Sequence, residues 1–372
     1  KKFTPKVYDY NKYIGSDEVS ISKVHKAISI IQFKLEGQLI MEHPEYEMDD
    51  RLLLDKVDYK NGTVRIGRET YKLNDTNFPT IDPDNPYALT KEEEEIINRL
   101  QESFKNSETL NKHISFIYSK SSIYKCFNSN LLFHGCVPLE ENGEFSEVNI
   151  LGKKLSGKSY LDYIDKVIRK AYIEKDELDA NKEINDYMWY LWCGPKSPLF
   201  GKDKAATFER YFLDEKETHK EKKNPYYRLS GQEEICDKLL KEFGLDCKNS
   251  HIINGHIPVK EKDGESPIRA NGKLLVIDGG FAKSYRAQTG RAGYTLTYNS
   301  YGLLLSANEP FDSKDVAIRE EKDIKYDIMV NAKETERKNV ASTDIGKEIQ
   351  EEINDLKLLL NAYKEGKIKE NF

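Results

Sequence analysis

Two short motifs of the same design constrain this chain more than any other feature. Residues 131–139 read LLFHGCVPL, where an apolar run with the length of a buried strand ends at His134 beside a glycine. Residues 251–259 read HIINGHIPV, where His256 follows another apolar run and a glycine. A glycine beside an imidazole lets another group approach the backbone closely.

Each histidine taken alone is more simply explained as a hydrogen-bonded core residue. Two histidines in the same context, each at the end of a strand, favour a different explanation. Neutral imidazole is a common ligand of divalent metal ions. We therefore predict that His134 and His256 share one metal site.

Composition limits the classes of function. The 372 residues carry 58 basic and 64 acidic side chains, a net charge of −6, which argues against general nucleic-acid binding. The five cysteines form no CxxC pair, a usage that fits a reducing compartment. No apolar run approaches the ~20 residues that a helix needs to cross a bilayer. We expect a cytoplasmic protein with no nucleic-acid or membrane partner.

The apolar pattern divides the chain into three regions. Residues 1–112 are typical of a mainly helical module, with a capping box that starts a helix at Thr90. Residues 113–330 combine short strands with a few helices and a hairpin near 292–307, and residues 331–372 contain a terminal amphipathic helix. We expect an α/β (α+β) fold with a sandwich in the middle region, since regular βαβ alternation is missing.

Two local expectations follow from the same pattern. Residues 113–119, HISFIYS, are expected to form a strand. In the helix after Thr90, four apolar side chains are expected to face the core. They are Ile96, Ile97, Leu100 and Phe104.

The two histidine motifs belong to a larger set of recognisable stretches between residues 20 and 320. The others read HKAISIIQFKLEGQLI, FPTIDPDNPYALT, YLWCGPKSPLFGK, TFERYF, NGKLLVIDGGF and AGYTLTYNSYGL. Together these stretches resemble the class III fructose-1,6-bisphosphatases of Firmicutes-type bacteria. Those enzymes are calcineurin-like metallophosphoesterases, and the two histidine motifs look like the last two of that superfamily.

The resemblance implies a reaction and its metals. It implies that the chain is part of a phosphoric monoester hydrolase of gluconeogenesis. That enzyme removes the 1-phosphate of fructose 1,6-bisphosphate with two manganese ions. It also implies that His134 and His256 bind one of these ions. Two ions held close together activate a hydroxide and neutralise phosphate oxygens.

The resemblance also indicates where a sugar bisphosphate would bind. LWCGP at 191–195 lies where related phosphoprotein phosphatases have a tryptophan-containing substrate loop, so Trp192 is expected to line the pocket. A second phosphate needs cationic contacts, and Lys202, Lys204 and Arg210 follow that loop. The alternative for these three residues is that they are ordinary surface charges.

Three other motifs of the metallophosphoesterase fold are missing from the sequence: Asp-x-His, Gly-Asp-x-x-Asp-Arg and Gly-Asn-His-Asp. The first residue is Lys1 and not methionine. We therefore expect a C-terminal portion of the sandwich, with the catalytic residues and other ligands in an N-terminal part of the same polypeptide. Alone, the chain is expected to bind manganese weakly, to be nearly inactive, and to expose apolar surface. The sequence leaves homo-oligomerisation open.

Two alternatives of other classes remain open. GKKLSGKS at 152–159 matches the Walker A pattern of P-loop NTPases, and LLVID at 274–278 resembles a Walker B strand. Against this, the strand before the loop is short and polar, and repeated βα units are missing. The other alternative is a catalytically inert chain that only completes the structure of a partner segment.

Overall fold

The computed structural model describes residues 2–3, 18–174, 181–278, 289, 293–308, 313–321, 326–333 and 337–368. These residues form ten α-helices and thirteen strands in four small sheets, so the expected mixed α/β class is confirmed. None of the helices in this part of the chain combines the length and the apolar composition needed to cross a bilayer.

The helices are α1 (Glu18–Glu42), α2 (Lys91–Lys105), α3 (Glu108–Lys120), α4 (Gly157–Ile173), α5 (Lys182–Cys193), α6 (Thr207–Phe212), α7 (Tyr226–Leu229), α8 (Glu233–Glu242), α9 (Lys314–Arg319) and α10 (Asp344–Lys364). The strands are β1 (Val57–Asp58), β2 (Thr63–Ile66), β3 (Glu69–Lys72), β4 (Tyr124–Phe127), β5 (Asn130–Phe133), β6 (Val148–Ile150), β7 (Lys153–Leu155), β8 (His251–Asn254), β9 (Ile268–Arg269), β10 (Leu274–Val276), β11 (Gly293–Asn299), β12 (Gly302–Asn308) and β13 (Tyr326–Lys333).

The chain divides into two compact units, and unit 2 is discontinuous around an inserted part of unit 1. The ranges are Lys1–Ser122 and Val137–Tyr226 for unit 1, and Ile123–Cys136 and Tyr227–Phe372 for unit 2. These two units have other boundaries than the predicted regions 1–112, 113–330 and 331–372. The division into those three domains stays a prediction.

Unit 1 is organised around α1, where a helix was predicted. Ile30 and Phe33 of this helix enter a core cluster that also contains side chains from the sheet β1–β2–β3 and from α6. The buried members are Phe3, Ile30, Phe33, Leu53, Leu54, Val57, Val64, Leu73, Ile81, Tyr87, Phe208, Phe212 and Leu213. The helical spacing of apolar residues in α1 thus buries one face, as such spacing predicts.

A buried ion pair joins α1 to the start of α2. Lys34 is fully buried, and its Nζ donates to Glu93 Oε2 at 2.7 Å and to the Thr80 carbonyl oxygen at 2.6 Å. Glu93 also accepts from the Thr90 backbone N–H at 2.9 Å, while the Thr90 hydroxyl accepts from the Glu93 N–H at 3.3 Å. The predicted capping box is confirmed, and the same carboxylate neutralises a buried lysine.

Two expectations about this region are wrong. Residues 113–119 lie within α3, whose first turn is capped by the Ser107 hydroxyl accepting from the Leu110 N–H at 3.4 Å. In α2, the expected inward face is largely exposed. The exposed fractions are 42 % for Ile96, 38 % for Leu100 and 62 % for Phe104, while Ile97 is half-buried. The core cluster that contains Ile30 and Phe33 of α1 includes none of these four residues.

Unit 2 contains a five-stranded sheet in the order β4–β5–β8–β10–β9. The three central strands are parallel, and the two edge strands are antiparallel to their neighbours. Leu131 pairs with Ile252, and Ile252 pairs with Leu274, and all three side chains are buried. A central strand covered on both faces is apolar throughout, which explains the runs that precede each histidine motif.

Unit 2 also holds a three-stranded antiparallel sheet, β11–β12–β13. The predicted hairpin is confirmed, with Asn299 paired to Gly302 across the turn. Leu303, Leu305 and Ala307 alternate inward along β12 and are buried. The predicted terminal helix is also confirmed, as α10.

Candidate functional site

The candidate site lies at one edge of the five-stranded sheet of unit 2. Because β5, β8 and β10 are parallel, their carboxyl ends lie at the same edge. His134 directly follows β5, His256 comes two residues after β8, and Asp278 comes two residues after β10. Ligand-binding residues of open α/β sheets are concentrated at such strand ends.

The two predicted metal-binding histidines are in contact. His134 Nε2 lies 3.0 Å from His256 Nδ1, and the ring centroids are 4.9 Å apart at an interplanar angle of 72°. This contact joins two residues separated by 122 positions in the chain. His256 has a backbone φ of 67°, in the left-handed region that non-glycine residues seldom occupy. Such strain is concentrated at functional sites, which makes His256 a candidate functional residue.

Backbone hydrogen bonds fix the two strand ends against each other. The Gly255 N–H donates to the His134 carbonyl oxygen at 2.9 Å, and Asn254 Nδ2 donates to the Gly135 carbonyl oxygen at 3.2 Å. A Cβ on Gly255 would lie 3.6 Å from Asp278 Cβ, an ordinary contact. The protein around Gly255 therefore leaves room for a Cβ, and the close approach of another group to this glycine stays a prediction.

Asp278 was not singled out as a site residue from the sequence. Its backbone carbonyl accepts from the Val259 N–H at 2.8 Å, and the preceding Ile277 N–H donates to the Asn254 carbonyl oxygen at 2.9 Å. These bonds keep a carboxylate-bearing residue at the same sheet edge as the histidines. The signal in the sequence is an aspartate directly after an apolar strand. The Walker B interpretation uses this aspartate, whereas the prediction of the metal site does not.

A second cluster of potential ligands lies in unit 1. Among the residues that the structure describes, Glu42, His43 and Asp186 are the one group of three whose ligand atoms lie within 4.8 Å of one another. The Lys182 ammonium already pairs with Glu42 and, at 2.6 Å, with Asp186. His43 is hydrogen-bonded to Asp186 at 2.8 Å and to Glu45 at 2.8 Å. Because lysine supplies the cation, this cluster is an ion-pair network.

The environment of His43 raises the pKa of its imidazole. Burial would lower the pKa of the imidazole, but the hydrogen bonds to Asp186 and Glu45 outweigh burial and raise it above its ordinary value. The ring also stacks on Tyr46 with centroids 4.6 Å apart. Once protonated, the imidazole pairs with both carboxylates, which is why they raise its pKa. No signal in the sequence sets this histidine apart.

The predicted phosphate-binding cations are ion-paired within unit 1. Glu221 accepts from Lys202 at 2.9 Å and from Arg210 at 3.0 Å. Lys204 lies 3.5 Å from Glu209. The interpretation of these residues as ordinary surface charges therefore gains weight, although each carboxylate carries more than one cation.

Arg51 is the second cation on Glu209. Its guanidinium contacts both carboxylate oxygens, at 2.7 and 2.8 Å, and the Glu209 side chain is fully buried. Burial would raise the pKa of Glu209, but hydrogen bonds and charge from Arg51 hold it below its usual range. Residues 202–222 carry six basic and six acidic side chains, so this part of the chain has no net positive charge.

Trp192 lines a cavity of about 100 Å³ in unit 1 and is 61 % exposed. Phe200, Arg51 and Glu36 line the same cavity. Burial raises the pKa of the Glu36 carboxyl, although Gln32, Arg51 and Trp189 partly oppose that effect. An indole on an open cavity agrees with a residue that contacts a ligand.

The Walker A interpretation receives no support from the geometry. In the described structure, β7 pairs with β6 as a two-stranded antiparallel hairpin, whereas the strand that precedes a P-loop belongs to a parallel sheet. Lys158, the lysine of the pattern, forms an ion pair with Asp162 at 2.6 Å. Ser156 and Ser159 form a capping box at the start of α4. The motif is therefore a hairpin followed by a capped helix.

Comparisons with known proteins agree with the resemblance of the motifs. The family model described as Firmicute fructose-1,6-bisphosphatase matches residues 1–365. A fructose-1,6-bisphosphatase class 3 from Clostridium tetani (strain Massachusetts / E88) is 58% identical over 371 residues, which are 100% of this chain and 56% of the relative. The class 3 protein of Clostridium novyi (strain NT) is 56% identical over 369 residues, which are 99% of this chain and 55% of the relative.

A third relative with the same description, from Clostridium botulinum (strain Loch Maree / Type A3), is 55% identical over 370 residues. Those residues are 100% of this chain and 55% of that protein. The chain thus spans a little more than half the length of the curated relatives that it matches. No solved structure matches the chain.

Proposed function

This chain belongs to the Firmicute fructose-1,6-bisphosphatase family, and we propose that it takes part in hydrolysing the 1-phosphate of fructose 1,6-bisphosphate in gluconeogenesis, in the cytoplasm. The named relatives are about twice as long as the segment that matches, so the activity is inferred for the protein to which this segment corresponds. In the same proposal, the sheet that carries the histidine motifs is part of a metallophosphoesterase β-sandwich. Donors beyond these residues complete the site.

The observation that carries the proposal is the 3.0 Å separation of His134 Nε2 and His256 Nδ1. Two nitrogens bound to one ion at about 2.1 Å, at right angles to each other, are about 3.0 Å apart. The nitrogen atoms therefore fit neighbouring positions on a single divalent cation such as manganese. The left-handed backbone of His256 supports this role, since such strain is concentrated at functional sites.

The residues of this chain would do three things at such a site. His134 and His256 would hold one ion through the lone pairs of neutral imidazoles, so binding weakens as the rings are protonated. When bound, two metal ions would supply a hydroxide nucleophile at neutral pH and neutralise charge on the phosphate oxygens. Asp278, at the same sheet edge, offers an oxygen donor of the kind that manganese prefers.

The substrate contacts form a separate part of the proposal, confined to unit 1. Lys202, Lys204 and Arg210 supply positive charge to a phosphate group, and Trp192 supports the sugar. The support is that Lys202 and Arg210 lie on the same carboxylate, Glu221, which brings two cations close together. When a phosphate group binds, Lys202 and Arg210 would each contact both Glu221 and the phosphate, since each cation has several hydrogen-bond donors.

The metal part is tested with single substitutions and isothermal titration calorimetry of Mn²⁺. His134→Ala and His256→Ala are each expected to lower the Mn²⁺ affinity of the whole enzyme that carries this segment by ~100-fold or more, since each removes a ligand outright. His113→Ala is the matched control, because His113 is exposed on α3. Equal Mn²⁺ affinity in all three variants would refute the site.

The catalytic part is tested by release of phosphate from fructose 1,6-bisphosphate in the presence of Mn²⁺. The whole enzyme that carries this segment should be active, and both histidine variants should lose that activity. The 372-residue chain alone should bind Mn²⁺ weakly and turn over little, because His134, His256 and Asp278 supply only three of about six donors. Full turnover by this chain would mean that further ligands lie within it.

A further inference from the structure

Helix α10 is exposed along almost its whole length. Its first turn is anchored, since the Asn128 N–H donates to Asp344 Oδ2 at 2.7 Å and the Asp344 N–H donates to Asn128 Oδ1 at 3.0 Å. Gly346 packs so closely on Val340 that a Cβ there would lie 1.8 Å from the carbonyl oxygen of that residue. From residue 347 to 361 every side chain is exposed. A helix held only at one end is marginal in water unless its apolar side is covered.

The apolar residues of α10 follow a heptad pattern. Taking Ile353 as position a, the a and d positions from residue 349 onward are all apolar or aromatic, at spacings of four and three residues. They are Ile349, Ile353, Leu356, Leu360 and Tyr363. Their exposed fractions are 45, 40, 64, 52 and 41 %. The central heptad has Ile353 at a and Leu356 at d, the combination that favours two parallel strands, whereas the flanking Ile349 at d and Leu360 at a do not repeat it.

The charges beside this seam indicate which kind of helix covers it. Glu352 is at position g, and its neighbours three and four residues away include Glu348 and Asp355 but no lysine or arginine. Lys357 is at position e, and it has no acidic neighbour at those spacings. Neither charge is balanced within its own helix, because only residues three or four apart face each other there. In a parallel coiled coil, position g of one helix faces position e of the next heptad in the partner, which places Glu352 opposite Lys357.

An antiparallel pair would not give the same balance, since it places g beside g and e beside e. The g positions are Ile345, Glu352 and Leu359, and the e positions are Gln350, Lys357 and Lys364. Glu352 would then meet no lysine, and the two lysines would lie on the same side of the seam. The sequence is thus complementary to itself only in the parallel orientation.

We propose that α10 pairs with α10 of a second copy of this chain as a parallel two-stranded coiled coil, with Glu352 of each copy facing Lys357 of the other. The seam buries five side chains of each copy that are otherwise 40 to 64 % exposed. This surface lies outside the histidine site, and the proposal is independent of the proposed reaction.

Sedimentation equilibrium of the full 372-residue chain tests the seam. The wild-type chain should be a dimer, and Leu356→Glu should raise the dimer dissociation constant by ~100-fold or more, because both copies lose a buried leucine. Leu358→Glu is a matched control on the same helix, since Leu358 is 66 % exposed where Leu356 is 64 % exposed, and it lies at position f, away from the seam. Leu358→Glu should leave the dimer intact.

Charge reversal tests the orientation and the partner. Glu352→Lys and Lys357→Glu should each weaken the dimer several-fold, and the double variant should restore it, since the pair is then reversed in both copies. Near-UV circular dichroism checks that all variants keep the native tertiary packing. A monomeric wild-type chain, equal effects at 356 and 358, or no rescue in the double variant would each overturn the proposal. Those outcomes would point to another occupant, such as a different segment or protein.

Discussion

Glu93→Ala is expected to be among the most destabilising single substitutions in unit 1. The Lys34 side chain is fully buried and that of Glu93 is 7 % exposed, so the pair is almost removed from water. Deleting the carboxylate leaves a buried ammonium whose described partner is the Thr80 carbonyl oxygen. Breaking a buried ion pair from one side costs about 3–5 kcal/mol.

The same substitution removes the capping box at the start of α2. Losing a helix cap typically costs about 1 kcal/mol. Because the two interactions share one carboxylate, their costs are not independent, and we expect a total loss of about 4 kcal/mol. This is a large part of the about 5–15 kcal/mol by which domains are stable.

Urea denaturation followed by far-UV circular dichroism measures this loss. Glu94→Ala is the matched control, because Glu94 is in the same turn of α2 but is exposed, and it should cost less than about 0.5 kcal/mol. Lys34→Met combined with Glu93→Ala should recover much of the loss, since no unpaired charge remains buried. If Glu93→Ala behaves like Glu94→Ala, the assigned pairing is wrong.

The pH dependence of stability gives a second readout of the same residue. Burial alone would raise the pKa of Glu93, but hydrogen bonds from Lys34 and from the Thr90 backbone hold it below its ordinary value. A carboxyl with a lowered folded-state pKa stabilises the fold above its unfolded pKa of about 4.3, and that stability is lost as the pH falls through the folded value. The wild type should therefore lose stability below about pH 4.3 more steeply than the Glu93 variant.

Three further outcomes are expected. Glu209→Gln should destabilise unit 1 by about 3 kcal/mol in urea denaturation, because it leaves the buried Arg51 guanidinium without its carboxylate. His43→Gln should destabilise more at about pH 5.5 than at about pH 9: the raised pKa of His43 gives stability below the unfolded value of about 6.5 that is lost as the pH rises through the folded value. Lys158→Ala should leave ATP binding undetectable, as in the wild type, by calorimetry, since Lys158 serves as the partner of Asp162.

Local patterns in the sequence predicted those parts of the fold that local physics decides. The box at Thr90 and Glu93, the hairpin around Asn299 and the helix from Asp344 depend on neighbouring residues, and all three are confirmed. Caps and turns are set by hydrogen bonds that close within a few residues. The apolar runs before the histidines predicted strands for the same reason.

The errors arise where distant residues decide. HISFIYS contains residues that favour strands, but β propensity is weak without a neighbouring strand, and the Ser107 cap starts a helix there. The apolar face of α2 was expected to be buried because periodicity indicates which residues share a face, not what covers that face. Arg51 was missed because its partner Glu209 lies 158 residues away in the chain.

The histidine site depends both on local sequence patterns and on the pairing of strands that are distant in the chain. The segment Val137–Tyr226 between the motifs belongs to unit 1, whereas both histidines belong to unit 2. The contact between the rings therefore depends on the parallel pairing of β5 with β8, in which Leu131 lies opposite Ile252. Sequence predicts the two strand ends, but only that register brings the imidazoles to 3.0 Å. A one-residue slip would turn every side chain of β8 to the opposite face, so the buried pairing protects the site.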